Sequence, residues 1–117
     1  MSAQVISTAS ADHYTWGSQC DGWFLVRTPE LNIIEELMPP GTKETRHHHV
    51  RARQFFFVLE GELTMEIEHH QFTVRTREGI EVAPGQRHQA INHGATPLRI
   101  LVTSQPPSHG DRIEETQ

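Results

Sequence analysis

The stretch PPGTKETRHHHVRARQFFFVLEGEL, residues 39–63, decides how this chain is read. Three consecutive histidines, His47, His48 and His49, sit in mid-chain ahead of an aromatic run and a Leu-Glu-Gly turn. Affinity tags sit at termini and run longer, so the triplet is part of the protein. In an extended strand, side chains at i and i+2 point to the same face. His47 and His49 are therefore expected to project together while His48 projects away. On His-x-His alone, a solvent-exposed edge accounts for the triplet as well as a metal does.

The surrounding sequence has strand character. In ELTMEIE, residues 62–68, Leu63, Met65 and Ile67 alternate with Glu62, Thr64, Glu66 and Glu68, the pattern of a strand buried on one face. QFTVR is expected to continue it after a turn at His69-His70, with Phe72 and Val74 inward. LRILVT (98–103), WFLVRT (23–28), LNIIEELM (31–38), RQFFFVL and IEVA complete the set. Turn signals at Pro39-Pro40-Gly41, Glu60-Gly61, Glu78-Gly79, Pro84-Gly85, His93-Gly94 and Pro106-Pro107 separate them. No segment carries a helical apolar period. Short strands at close, even spacing predict an all-β sandwich or barrel. In RQFFFVL, Phe56 and Val58 share the parity of Gln54 and are expected inside, with Met65 beside them. Phe55, Phe57 and Leu59 face outward, under another strand or against a second copy of the chain.

The chain has 117 residues, the size of one domain, and needs neither disulfides nor a structural metal to fold. It carries 15 acidic and 10 basic residues, a net charge of −5. With no basic stripe, nucleic acid is not the expected partner. One cysteine, Cys20, excludes an internal disulfide and suits a reducing compartment. No apolar run reaches membrane-spanning length and no basic-then-apolar leader is present, so a cytoplasmic location is expected. Residues 1–12 and the polar end GDRIEETQ are expected to be loosely held. Nine histidines is a high number for this length, and histidine is the commonest metal ligand.

Two spacings go further. From Gly41, five residues lead to His47, one separates it from His49, four more lead to Gln54 and six to Gly61. This closely resembles the first motif of the cupin superfamily, in which Gln54 stands at the position of a glutamate. In REGIEVAPGQRHQAIN, residues 77–92, Gly85, His88 and Asn92 fall in register with the second cupin motif, while Arg77 replaces its first glycine and Ala83 its proline. The resemblance covers about residues 22–104, with both motifs in order. It implies a double-stranded β-helix (jelly-roll) barrel over a single domain, 1–117. It also implies one divalent transition metal ion (Fe, Mn, Ni, Zn, Co or Cu) held by His47, His49 and His88. Gln54 either ligates weakly through its carbonyl oxygen or orients a bound water, and Phe56, Val58 and Met65 line the pocket. Asn92 would bond backbone at a strand end. A homodimer is the assembly the resemblance favours.

Three neutral imidazoles leave the ion's positive charge intact, which favours a small-molecule ligand of anionic character. Free imidazole titrates near ~6.5, so metal affinity is expected to fall below that region. No Ser-His-Asp, Cys-His or paired-carboxylate device is visible in the sequence, so a reaction would run through the metal, as an oxygenase or an isomerase or lyase on a small oxygenated substrate. The alternative is a non-catalytic module that binds a small molecule or metal. A regulator's sensing part is disfavoured, because no helix-turn-helix pattern accompanies it. Arg27, Arg46 and Glu36 are the charged residues within reach of the barrel mouth.

Overall fold

The computed structural model of the chain describes residues 3–115. Residues 1–2 and 116–117, the ends of the two segments expected to be loosely held, lie outside the described residues. Eleven strands carry the fold: Asp12–Trp16 (β1), Cys20–Arg27 (β2), Asn32–Met38 (β3), His47–His49 (β4), Arg53–Glu60 (β5), Leu63–Ile67 (β6), His70–Val74 (β7), Gly79–Val82 (β8), His88–Ile91 (β9), Leu98–Gln105 (β10) and Arg112–Glu114 (β11). They form a six-stranded sheet in the order β1-β2-β3-β10-β5-β8 and a five-stranded sheet in the order β11-β4-β9-β6-β7, with antiparallel pairing throughout. The all-β architecture is that expected from the alternating patterns, and the two-sheet jelly-roll is the one the cupin resemblance implies. Among the described residues no helix is long and apolar enough to cross a membrane.

The core lies between the sheets and is built by the inward parity of each strand. Met38, Val58, Leu63, Met65, Leu98 and Ile100 are fully enclosed, and Phe56 nearly so. Each such side chain contributes roughly 1.5–3 kcal/mol of burial free energy. Outward parity is as clear: Phe55 is 45% and Leu59 40% exposed, and Phe55 stacks with Phe57 at 6.4 Å between ring centroids. One inward expectation fails. Val74 is buried, but Phe72 is 44% exposed, because β7 is the edge of its sheet and has no strand beyond it to cover the ring.

The turns explain the family's glycines and this chain's departures from them. Gly61 holds φ +86°, and a Cβ there would lie 2.6 Å from the Pro97 carbonyl oxygen, so only glycine fits. The β6–β7 turn is made by Glu68 and His69, both at positive φ, one residue earlier than the His69-His70 tip expected from sequence. Arg77, at the place of the second motif's first glycine, sits at φ +69°. An L side chain pays roughly 1–2 kcal/mol in this left-handed conformation. Arg77→Gly is therefore expected to stabilise the protein by about 0.5–1 kcal/mol after the entropy of glycine is subtracted, read as a raised urea midpoint at unchanged slope. At Ala83, the place of the motif's proline, the free N–H donates to Gln86 Oε1 at 2.8 Å and closes the turn with a side chain instead of a ring.

The two stretches expected to be loosely held differ: residues 3–11 form no strand, whereas residues 112–114 do. β1 pairs along β2, and β11 pairs with β4 through Arg112–His49, Ile113–His48 and Glu114–His47. The polar tail expected to be loose thus forms part of the second sheet, next to the histidine triplet. What ties it down is Asp111, whose carboxylate accepts the backbone N–H groups of Val50, Arg51 and Ala52 at 3.2, 2.9 and 2.8 Å.

Candidate metal centre

β4 is three residues long and buried-intermediate-buried: His47 and His49 are 2% and 5% exposed and point inward, whereas His48 points out. Strand parity alone predicts this. β9 supplies the third imidazole, with His47 paired directly to His88 in the ladder. The second motif's turn is fastened to the first, since Gly85 N–H donates to the His49 carbonyl at 2.7 Å. The ring centroids lie 4.4 Å (His47–His88), 4.8 Å (His47–His49) and 5.7 Å (His49–His88) apart. One ligand atom from each of the three lies within 4.8 Å of the others, close enough to share one ion.

The orientation of the rings follows from their backbone partners. His47 Nδ1 lies 2.7 Å from the Thr45 carbonyl oxygen and His88 Nδ1 3.0 Å from that of Gln86. A carbonyl only accepts, so each Nδ1 carries the proton and each Nε2 is left with a lone pair. His88 Nε2 and His49 Nδ1 are buried without any hydrogen-bond partner. Such groups are costly to leave unsatisfied, and a cation shared by the three imidazoles would satisfy His88 Nε2.

Gln54 completes the wall. It is 5% exposed, its Nε2 donates to Ser104 Oγ at 3.0 Å, and Ser104 in turn reaches Ser108 Oγ at 3.5 Å. This chain of hydroxyls takes the amide nitrogen and leaves Oε1 buried and unpartnered. The residues fit a divalent ion bound by three neutral nitrogens with a neutral carbonyl oxygen at hand. Asn92 bears out its structural role: its Nδ2 donates to the carbonyls of Met38 (2.9 Å) and Thr96 (3.0 Å), and its Oδ1 accepts Gly94 N–H at 2.9 Å.

Burial sets the electrostatics. Desolvation, then the neighbouring His88 and Arg112, lower the His47 imidazole to about 2. Desolvation and His88 lower His49 to about 4, and desolvation lowers His88 as well. The site is thus held neutral and ready to ligate. The fall in metal affinity expected near pH 6.5 moves toward pH 4, because the protein itself keeps protons off the ligands.

The cavity, of about 50 Å³, is lined by His47, His49, Gln54 and Phe56, by Ile34, Glu36 and Glu44, by Val102, and by Ser108, His109 and Arg112 of the tail. Of the three apolar residues expected to line it, Phe56 does. Val58 and Met65 lie deeper, in the fully buried core, where they support the site without facing its space. Of the charged residues expected near the mouth, Glu36 reaches the cavity. Arg46 is instead held by Glu66 (2.6 Å) and Glu115 (2.5 Å), and Arg27 lies 4.1 Å over the Phe24 ring. Glu36 is accompanied in the cavity by a second carboxyl, Glu44, which sequence reasoning missed. Desolvation and the nearby Glu44 raise Glu36 to about 8, and desolvation raises Glu44 to about 7 against the pull of Ala90 N–H, which it accepts at 2.9 Å. Glu36 was detectable, since it occupies the inward parity of Asn32, Ile34 and Met38, where a charge is out of place.

A small double-stranded β-helix with a convergent three-histidine centre defines a metal-capable barrel class. Within it, residues 34–104 match the family model of the cupin domain, and the chain belongs to that family. It is similar to the uncharacterized protein MJ1618 of Methanocaldococcus jannaschii, 33% identical over 81 residues, which span 68% of this chain and 65% of that protein. It is also similar to the tetracenomycin polyketide synthase protein TcmJ of Streptomyces glaucescens, 28% identical over 69 residues, 59% of this chain and 46% of TcmJ. The chain thus spans less than two thirds of either relative. Among solved structures, the polyketide cyclase RemF of Streptomyces resistomycificus superposes with a TM-score of 0.80 at 15% identity, over 99% of this chain and 87% of RemF.

Proposed function

We propose that this cupin holds one divalent transition metal ion on His47, His49 and His88 and uses it to act on a small, oxygen-rich molecule. The observation that carries the reading is that one ligand atom from each of the three buried imidazoles lies within 4.8 Å of the others, beside a Gln54 Oε1 that is buried and unpartnered. When bound, the ion supplies Lewis acidity and a template for oxygen ligands. His47 and His88 are oriented by backbone carbonyls, Gln54 presents a neutral oxygen, and Phe56 lends the space an apolar side. The names of TcmJ and RemF support a carbonyl-rich substrate, and thereby isomerase, lyase or cyclising chemistry ahead of oxygenation. A second reading, a non-catalytic binding module, draws on Gln54, which removes an anionic ligand from the centre. The outward Phe55, Phe57 and Leu59 are the proposed face for a second copy of the chain, and a solution mass equal to the monomer would overturn that assembly.

The test is elemental analysis of protein purified without a His tag, followed by turnover and oxygen-uptake screens with β-diketones, catechols, flavonols and thiols. One ion per chain is expected, falling below a tenth of that in His49→Ala with the barrel still folded. Turnover lost in the same variant supports the enzyme, and stoichiometric metal without turnover supports the module. Undiminished metal in His49→Ala would refute both.

A further inference from the structure

Glu36 stands on β3 between two buried residues of the same parity, Ile34 and Met38, and lines the cavity with His47, His49 and Gln54. Among the described residues it forms no ion pair, and its one side-chain hydrogen bond is a long one, 3.4 Å from the Tyr14 hydroxyl. Its neighbour Glu44 is already occupied, accepting Ala90 N–H at 2.9 Å and lying 4.0 Å from His47 Nδ1. Glu36 does not belong to the group whose ligand atoms fall within 4.8 Å of one another, so it lines the space without joining the three imidazoles. An inward carboxyl with so little to bond is costly for a barrel to keep.

The cavity therefore has two unlike walls. One carries His47, His49 and the buried, unpartnered Oε1 of Gln54. The other presents an underused carboxyl. Arg112 also lines the space, but its Nε donates to Glu114 at 3.1 Å and its NH2 group to the Thr45 carbonyl at 3.3 Å, so those donors are spent along the strands. A carboxylate or phosphate ligand would meet the two glutamates in the same space as the one guanidinium of Arg112. A hydroxyl meets an acceptor oxygen in either protonation state of Glu36. With about 50 Å³ available, the space admits the reacting end of a molecule, about two adjacent oxygens.

We propose that Glu36 is the specificity-determining residue of this centre: it holds the hydroxyl of a neutral ligand whose adjacent oxygen faces the three histidines, which defines an α-hydroxycarbonyl or vicinal-diol class. This rests on the metal-binding reading above and replaces the anionic ligand expected from charge alone. Tyr14, from β1, keeps the Glu36 carboxyl turned toward the space when no ligand is bound.

The test uses untagged full-length protein loaded with Co(II), with hydroxyacetone and methoxyacetone as probes. Both carry the same carbonyl, but only the first has a hydroxyl to donate. Binding is followed by paramagnetic broadening of the probe's proton signals, and metal content is measured on the same samples. Wild-type protein is expected to prefer hydroxyacetone at least tenfold. Glu36→Met is expected to keep one Co(II) per chain and to lose the preference to below twofold. Glu36→Gln, which retains an acceptor oxygen, is expected to keep at least a threefold preference. Equal binding of the two probes by wild-type protein would overturn the proposal without any variant, as would tighter binding of oxalate than of hydroxyacetone. Loss of Co(II) in a folded Glu36→Met would overturn it too, by making Glu36 a ligand. Wild-type protein that takes up no Co(II) would overturn the metal-binding reading itself, and this proposal with it.

Discussion

Metal-free protein is expected to be most stable near pH 6 and to lose about 3 kcal/mol or more on acidification to pH 4. The three imidazoles are held neutral by burial, His49 down to about 4 and His47 to about 2. In the unfolded chain they take up protons near ~6.5. Between those values the unfolded state binds more protons than the folded one, so stability falls as pH falls. Each unit of separation is worth about 1.4 kcal/mol per group, so His49 alone accounts for about 3 kcal/mol at pH 4. On the other side the sign reverses. Glu36 and Glu44 titrate at about 8 and about 7 when folded, above the ordinary carboxyl range, so the folded state holds the extra protons between about pH 4.5 and 8. Stability from these groups is fully present below about pH 4.5 and is lost progressively until pH passes 8, so between pH 4.5 and 6 it offsets part of the imidazole effect. Urea denaturation of chelator-treated protein at half-unit intervals from pH 4 to 8.5 should trace a bell. A flat profile would show that the imidazoles are not buried as described.

Removing the Asp111 carboxylate should cost about 3–5 kcal/mol and weaken metal binding, although Asp111 touches no ion. Desolvation by itself would raise this carboxyl, but the N–H groups of Arg51, Ala52 and Val50 outweigh it and hold it below the usual range. Hydrogen bonds to a charged group are worth about 1.5–3 kcal/mol each and do not add fully. Residues 50–52 follow His49 directly, and Arg112, next to Asp111, pairs with His49 across β11 and β4. Asp111→Ala loses all three bonds, whereas Asp111→Asn keeps an acceptor oxygen and should lose about half as much. Chemical denaturation and metal titration of the two variants check this. A change under about 1 kcal/mol for Asp111→Ala would mean the tail is not anchored there.

What the sequence disclosed and what it withheld follow from the range of each interaction. Alternation is local, so the inward set from Leu63 to Ile67 and from Leu98 to Val102 could be read directly, as could the shared face of His47 and His49. Resemblance to the cupin motifs, carried by residues such as Gly61, Gly85 and Asn92, implied that His88 joins the same centre, and the structure pairs it with His47. The tail resisted such reading. Nothing in GDRIEETQ announces a strand, since β11 gains little from its own side chains and is held by a carboxylate reaching back some sixty positions to residues 50–52. Phe72 was misassigned for a related reason, as period-two patterning gives the face of a strand but not whether the sheet continues beyond it. Glu36 was placed near the mouth, but its parity with Ile34 and Met38 was given too little weight.

Tyr14 comes from one end of the polypeptide and Ser108, His109 and Arg112 from the other, all outside the 34–104 portion common to the family. His47, His49 and His88 lie wholly within that portion. A piece cut to 34–104 would therefore keep the three imidazoles and lose part of the wall around them.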